Sequence, residues 1–239
     1  MKRLFTLMTG LALCSGPLAL GGEATAVSIA TNGGRASSTA TALGNSRSTA
    51  ISGATRGGEA IANSHANGRG YGYADSRAVA LADRGLAISN SNADALGLYG
   101  GSAFADSESI AATIGGVAVS NSEALADGVY YGHATSRSYS TALSEYGSSF
   151  SDSRAVSRGR FAGRATSVSD SFANTRFGRA DSRVRVVSGA DFHAQAYSNG
   201  VGMSISGPLR HSSAKVQAVS RADRFGRANS RATKISIRR

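Results

Sequence analysis

The 239-residue chain contains one cysteine, two prolines and no tryptophan, and each shortage removes a class of structure. The single cysteine, Cys14, sits in the apolar leading segment, so neither disulfides nor thiol chemistry are expected in the remainder. With so little proline and no charged linker, nothing divides the chain into separate globular units, and one elongated domain is expected. Aromatic residues make up 7% of the chain, too little bulk for an ordinary packed core. Beyond the leader no stretch approaches the ~20 apolar residues of a membrane-crossing helix. No integral membrane segment is therefore expected once the leader is removed.

Present in their place are 30 glycines and a repeat. Copies of fifteen to sixteen residues begin at Gly70, Gly85, Gly101, Gly116, Gly132, Gly147, Gly163 and Gly178, the mark of a repeat architecture. The sixth residue after each glycine is Ser76, Ser91, Ser107, Ser122, Ser138, Ser153 and Ser169, with Val184 departing in the last copy. Every second residue is small. Such alternation belongs to extended chain, whose successive side chains point to opposite faces. The expected fold is an all-β, elongated, single-domain β-solenoid or β-roll with 12- to 16-residue coils and a Gly/Ala/Ser interior.

If one copy forms one coil, equivalent residues stack about 4.8 Å apart, serine lies over serine, and an aromatic such as Tyr99, Tyr131, Tyr146, Phe177 or Phe225 stacks at a corner. Four segments are expected: residues 1–21 as a leader, 22–69 as coils of shorter period, 70–188 as regular coils, and 189–239 as irregular basic coils. Polar pairs such as Asp75 with Arg77 and Asp152 with Arg154 share one strand face by their two-residue spacing. An unblunted coil end would also permit end-to-end polymerisation.

Lys2 and Arg3, the apolar run from Leu4 to Leu13 and the small residues near Ala19-Leu20-Gly21 read as a secretory signal peptide. An exported protein, extracellular or at the cell surface, is expected. Net charge is +11, and it is concentrated late: residues 151–239 carry 17 Lys+Arg against 5 Asp+Glu, while residues 1–150 carry 9 against 10. Arginine's planar fork matches carboxylate, sulfate and phosphate oxygens in pairs. The candidate anion-binding residues are Arg154, Arg158, Arg160, Arg164, Arg176, Arg179, Arg183, Arg185, Arg227 and Arg231. Their expected partner is an anionic polysaccharide or another acidic surface polymer; the alternative is that they solubilise an edge and pair with aspartates.

Motifs of chemistry are missing. The four histidines, His65, His133, His193 and His211, lie in different registers, so no metal site is expected. His193 and Asp191 are the nearest to a functional pair. No Gly-x-Ser-x-Gly elbow and no phosphate-cradling Gly-Lys-Ser/Thr loop occurs. Neither an enzyme nor a cofactor is expected.

The copies Gly85-Leu86-Ala87-Ile88-Ser89-Asn90-Ser91-Asn92-Ala93-Asp94-Ala95 and Gly116-Val117-Ala118-Val119-Ser120-Asn121-Ser122-Glu123-Ala124-Leu125-Ala126 resemble the head repeats of bacterial trimeric autotransporter adhesins, over roughly residues 70–190. The resemblance implies a left-handed parallel β-roll that binds host matrix or other cells; neither a heptad stalk nor an anchor barrel is expected in this sequence. Three functions follow as expectations. The first is a secreted, non-catalytic structural protein of the cell surface or extracellular matrix that self-associates. The second is an adhesin or anionic-polysaccharide-binding module using the basic C-terminal third. The third is an ice-binding protein, for which the outward positions lack a regular threonine rank.

Overall fold

The structure, a computed structural model, describes residues 22–70, 72–98, 102–129, 133–160, 164–191, 195–207, 211–222 and 227–238. The predicted leader, residues 1–21, lies outside the described residues, as do His193, Tyr99, Tyr131 and Phe225.

Among the described residues, alternating small and larger side chains produce twelve strands: β1 (Glu23–Ala30), β2 (Arg35–Leu43), β3 (Ser46–Ala54), β4 (Glu59–Gly70), β5 (Tyr73–Ala82), β6 (Leu86–Gly97), β7 (Ala103–Gly128), β8 (His133–Gly159), β9 (Arg164–Ala190), β10 (Gln195–Ser206), β11 (Ser212–Ala222) and β12 (Arg227–Arg238). All pair in parallel within one continuous sheet that winds into a two-sided solenoid. The first face stacks β1, β3, β5, the first halves of β7, β8 and β9, then β10 and β12. The second face stacks β2, β4, β6, the second halves of β7, β8 and β9, then β11.

The coil is twice as long as one sequence copy, which corrects the expectation of 12- to 16-residue coils. Tyr73 pairs with Phe104 and Ala103 with Ala134, each two copies further along the chain. One copy therefore makes one strand and one corner, and two copies close a turn. Turns are shorter at the N-terminal end, where Glu23 pairs with Arg47 and Ser46 with Ala74, both smaller steps than that from Tyr73 to Phe104. After Gly189, where the sequence repeat fades, parallel pairing continues among the described strands, and Gln195 pairs with Arg227 by a step slightly longer still.

Between the faces lies an interior of alanine and serine so thin that one serine spans it. Ser91 on the second face donates to the carbonyl oxygen of Ser76 on the first at 2.6 Å, and its hydroxyl lies 2.9 Å from that of Ser76. The zigzag runs Ser48, Ser64, Ser76, Ser91, Ser107, Ser122, Ser138, Ser153, Ser169 along the axis. A parallel one links Ser89, Ser109, Ser120, Ser140, Ser151, Ser171 and Ser182. Serine does stack on serine, but across the coil as well as along it. A carbonyl already bonded within the sheet keeps a second lone pair, and the hydroxyl uses it. That satisfies buried groups whose neglect costs about 1–3 kcal/mol each. The remaining core is almost wholly alanine, most of it in two large clusters.

The filling changes in the last coils. Val184 and Val186 replace serine or alanine, joined by Val216, and β10 opposite supplies Gly200 and Gly202. A Cβ on Gly200 would lie 2.9 Å from Val186 Cγ2 and 3.0 Å from Val184 Cγ1. Large residues on one face are thus matched by none on the other.

One corner explains half of the repeat's glycines. Gly85, Gly116, Gly147 and Gly178 stack so that a Cβ on each would strike the backbone of the glycine one coil below, and Gly116 and Gly147 hold φ of 141° and 143°. The corner also carries the expected ring stack, Tyr146 on Phe177 with centroids 5.1 Å apart. A second stack, Tyr73 on Phe104 at 5.7 Å, opens the first face.

Candidate functional site

Because the interior is uniform, any specificity lies in the outward side chains, which the parallel register sorts into columns running along the axis. On the first face one column reads Val27, Ile51, Val79, Ile110, Thr141, Phe172, Met203, Ile235. The next reads Ile29, Gly53, Leu81, Ala112, Leu143, Asn174, Ile205, Ile237. Together they make an apolar strip across the whole face, with Ile29 77% and Leu81 49% exposed. It continues over the corner through Ile114 and Tyr146, 52% and 54% exposed, to Leu86, Val117, Ile88, Val119 and Phe150 on the second face.

Beside that strip, nearer the start of each strand, the first face is ionic. Arg47 pairs with Asp75 at 3.0 Å and Arg77 with Glu108 at 2.6 Å. These bonds join neighbouring coils rather than residues two apart on one strand. Asp75 and Asp106 are register partners, and burial, with Asp75 adding to it, raises the Asp106 carboxyl above the usual carboxylate range. Burial likewise raises Asp170.

The second face carries a polar column: Thr39, Asn63, Asn90, Asn121, Asp152, Arg183, Lys215. Its amides form a ladder, Asn90 Nδ2 donating to Asn63 Oδ1 and Asn121 Nδ2 to Asn90 Oδ1, each at 2.9 Å. The adjoining column is Thr41, His65, Asn92, Glu123, Arg154, Arg185, Gln217. Between the two runs a groove of about 360 Å³ from Thr39 to Arg154. A second groove of about 360 Å³, reaching Lys215, meets it at Asn121 and Asp152.

The ten candidate arginines do not converge on one surface. Arg154, Arg158, Arg179, Arg183 and Arg185 face outward on the second face, whereas Arg164, Arg227 and Arg231 belong to the first. Arg160 and Arg176 lie at corners, the latter 3.3 Å from Glu145 and over the Phe177 ring. Several are occupied: Arg154 with Glu123 at 2.8 Å, Arg179 with Asp181 at 2.6 Å, and Arg164 with Gln195 at 3.0 Å. Arg183 stands 3.9 Å from Asp152, whose carboxyl burial raises and Arg183 lowers. Arg185 and Lys215 make no ion pair among the described residues. Lys215 and the amide ladder were missing from the sequence-based candidates, although the recurrence of Asn90 and Asn121 at the coil spacing was a visible signal.

Among the described residues no three His, Cys, Asp or Glu side chains gather into a metal-holding group, and no helix is long and apolar enough to cross a membrane. The pair His193 and Asp191 falls partly outside the described residues. Compared with protein-family models, with curated proteins and with solved structures, the chain finds no match.

Proposed function

We propose that the chain is an exported, non-catalytic scaffold protein of the cell surface or extracellular matrix, which associates with copies of itself along the apolar strip. The strip carries this reading. Eight rungs about 4.8 Å apart and two columns about 7 Å apart make roughly 500 Å² on the first face alone, the size of the largest apolar patch that monomers ordinarily expose. With the corner and the apolar columns beyond it, the area approaches the ~800 Å² per partner of a stable interface. A rigid strip this long and flat is best matched by one of equal length and flatness, and a second copy supplies it. The leader, Met1 to about Gly21, supports export.

Sedimentation of the exported chain over a range of concentrations tests the reading. Self-association that Leu81→Lys and Ile110→Lys abolish, with the β spectrum kept, is the expected result. A monomer at every concentration would sink it, and recovery of the chain from the cell interior with residues 1–21 attached would sink the assignment to the surface.

A further inference from the structure

We propose that the second face binds a linear anionic polysaccharide lying along the solenoid axis, its acidic groups held by Arg183, Arg185 and Lys215 and its hydroxyls by the Asn63, Asn90, Asn121 ladder. This goes beyond self-association through the apolar strip and uses different residues. Three observations carry it.

First, like charges stack. Arg154 and Arg185 are register partners, as are Arg183 and Lys215, so four cations occupy two adjoining columns over three coils. Like charges directly opposed across strands destabilise a sheet. Glu123 and Asp152 relieve only Arg154 and, weakly, Arg183. Arg185 and Lys215 are exposed and have no acid in ion-pair reach among the described residues, and an anion set between the columns would remove the repulsion.

Second, the cations continue a polar track. The two grooves join at Asn121 and Asp152, and beyond Asp152 the amide column passes to Arg183 and Lys215, which line the second groove, with Arg185 in the column beside them. The carboxylates along the track, Glu123, Asp152 and Asp181, face Arg154, Arg183 and Arg179. Each ladder bond spends one amide hydrogen and one oxygen lone pair, leaving a donor and an acceptor per asparagine. Those suit the hydroxyls of a sugar chain.

Third, the track argues against other polyanions. Among the described residues Phe150 is the one phenyl or phenol ring lining either groove, whereas single-stranded nucleic acid binding relies on successive stacked rings.

Retention of the full chain on heparin oligosaccharide and on polygalacturonate, titrated with salt, tests the proposal against matched variants. Arg185→Gln with Lys215→Gln should weaken binding by about tenfold or more and lower the salt slope by about two, one for each cation lost. Arg164→Gln with Arg231→Gln removes the same charge from the first face and should leave both unchanged. Asn90→Ala should weaken polygalacturonate while leaving retention of free sulfate as it was. No binding to either polysaccharide, or equal losses from both charge pairs, would overturn the proposal. So would duplex DNA or anionic vesicles held as tightly and with the same dependence on Arg185 and Lys215.

Discussion

The coils from β5 through the first half of β9, and the last coils from the second half of β9 through β11, share a parallel register but fill their interiors by different physics. In the first region most buried hydroxyls are committed to a partner across the coil, so the core is held by directional bonds. In the second, Val184, Val186 and Val216 are held by shape, with Gly200 and Gly202 yielding the volume. A thin solenoid can thus be closed either by polar zippering or by paired bulk and emptiness.

Exchanging the two solutions breaks the comparison most severely. Ser120 donates to the carbonyl of Ser109 at 2.7 Å and accepts from Ser140 at 3.0 Å. Ser120→Val, the C-terminal solution placed in the middle, should cost roughly 3 kcal/mol from overpacking and orphaned hydroxyls, read as a fall in the urea midpoint. Gly200→Ala should cost about 2 kcal/mol, because its methyl meets valine on three sides; a neutral result would show that the faces separate freely there. Smaller still, Ser120→Ala should cost about 1 kcal/mol. The Ser140 hydroxyl keeps the Ser120 carbonyl oxygen at 2.6 Å when its hydroxyl neighbour is gone, so a loss as large as that of Ser120→Val would mean that hydroxyl pairing rather than volume controls the core.

The smallest effect concerns pH and the outer faces. Burial raises the carboxyls of Asp106, Asp127, Asp152 and Asp170 in the folded state. In the unfolded chain these groups release protons first, so they lower stability as pH rises from about 4, the ordinary aspartate range, through their raised folded values. Below that range the cost vanishes. Asp106→Asn should therefore raise the neutral-pH melting temperature slightly and reduce the gain seen on mild acidification; an unchanged pH profile would contradict it.

The alternation of Ser76, Ala78 and Ala80 announced strands, and the smallness of the inward residues announced a thin interior. Coil length was hidden because both halves of a turn carry the same inward pattern: Ser76 on the first face and Ser91 on the second are indistinguishable in the repeat. Only outward residues tell the halves apart, Tyr73 and Phe104 on one, Asn90 and Asn121 on the other. The arginine-rich segment looked like a single basic surface for the same reason. Consecutive copies alternate between faces, which sends Arg164 and Arg185 to opposite sides of the molecule.

The lengthening of the coil, from the short step between Glu23 and Arg47 to the longer one between Gln195 and Arg227, bears on how copies could be arrayed. The widening is concentrated in the first turns, and the step is the same from the Tyr73–Phe104 pairing through the Arg164–Gln195 pairing. A copy laid alongside as proposed would therefore meet a face of even width over those turns, so sliding by one turn there would cost little shape complementarity.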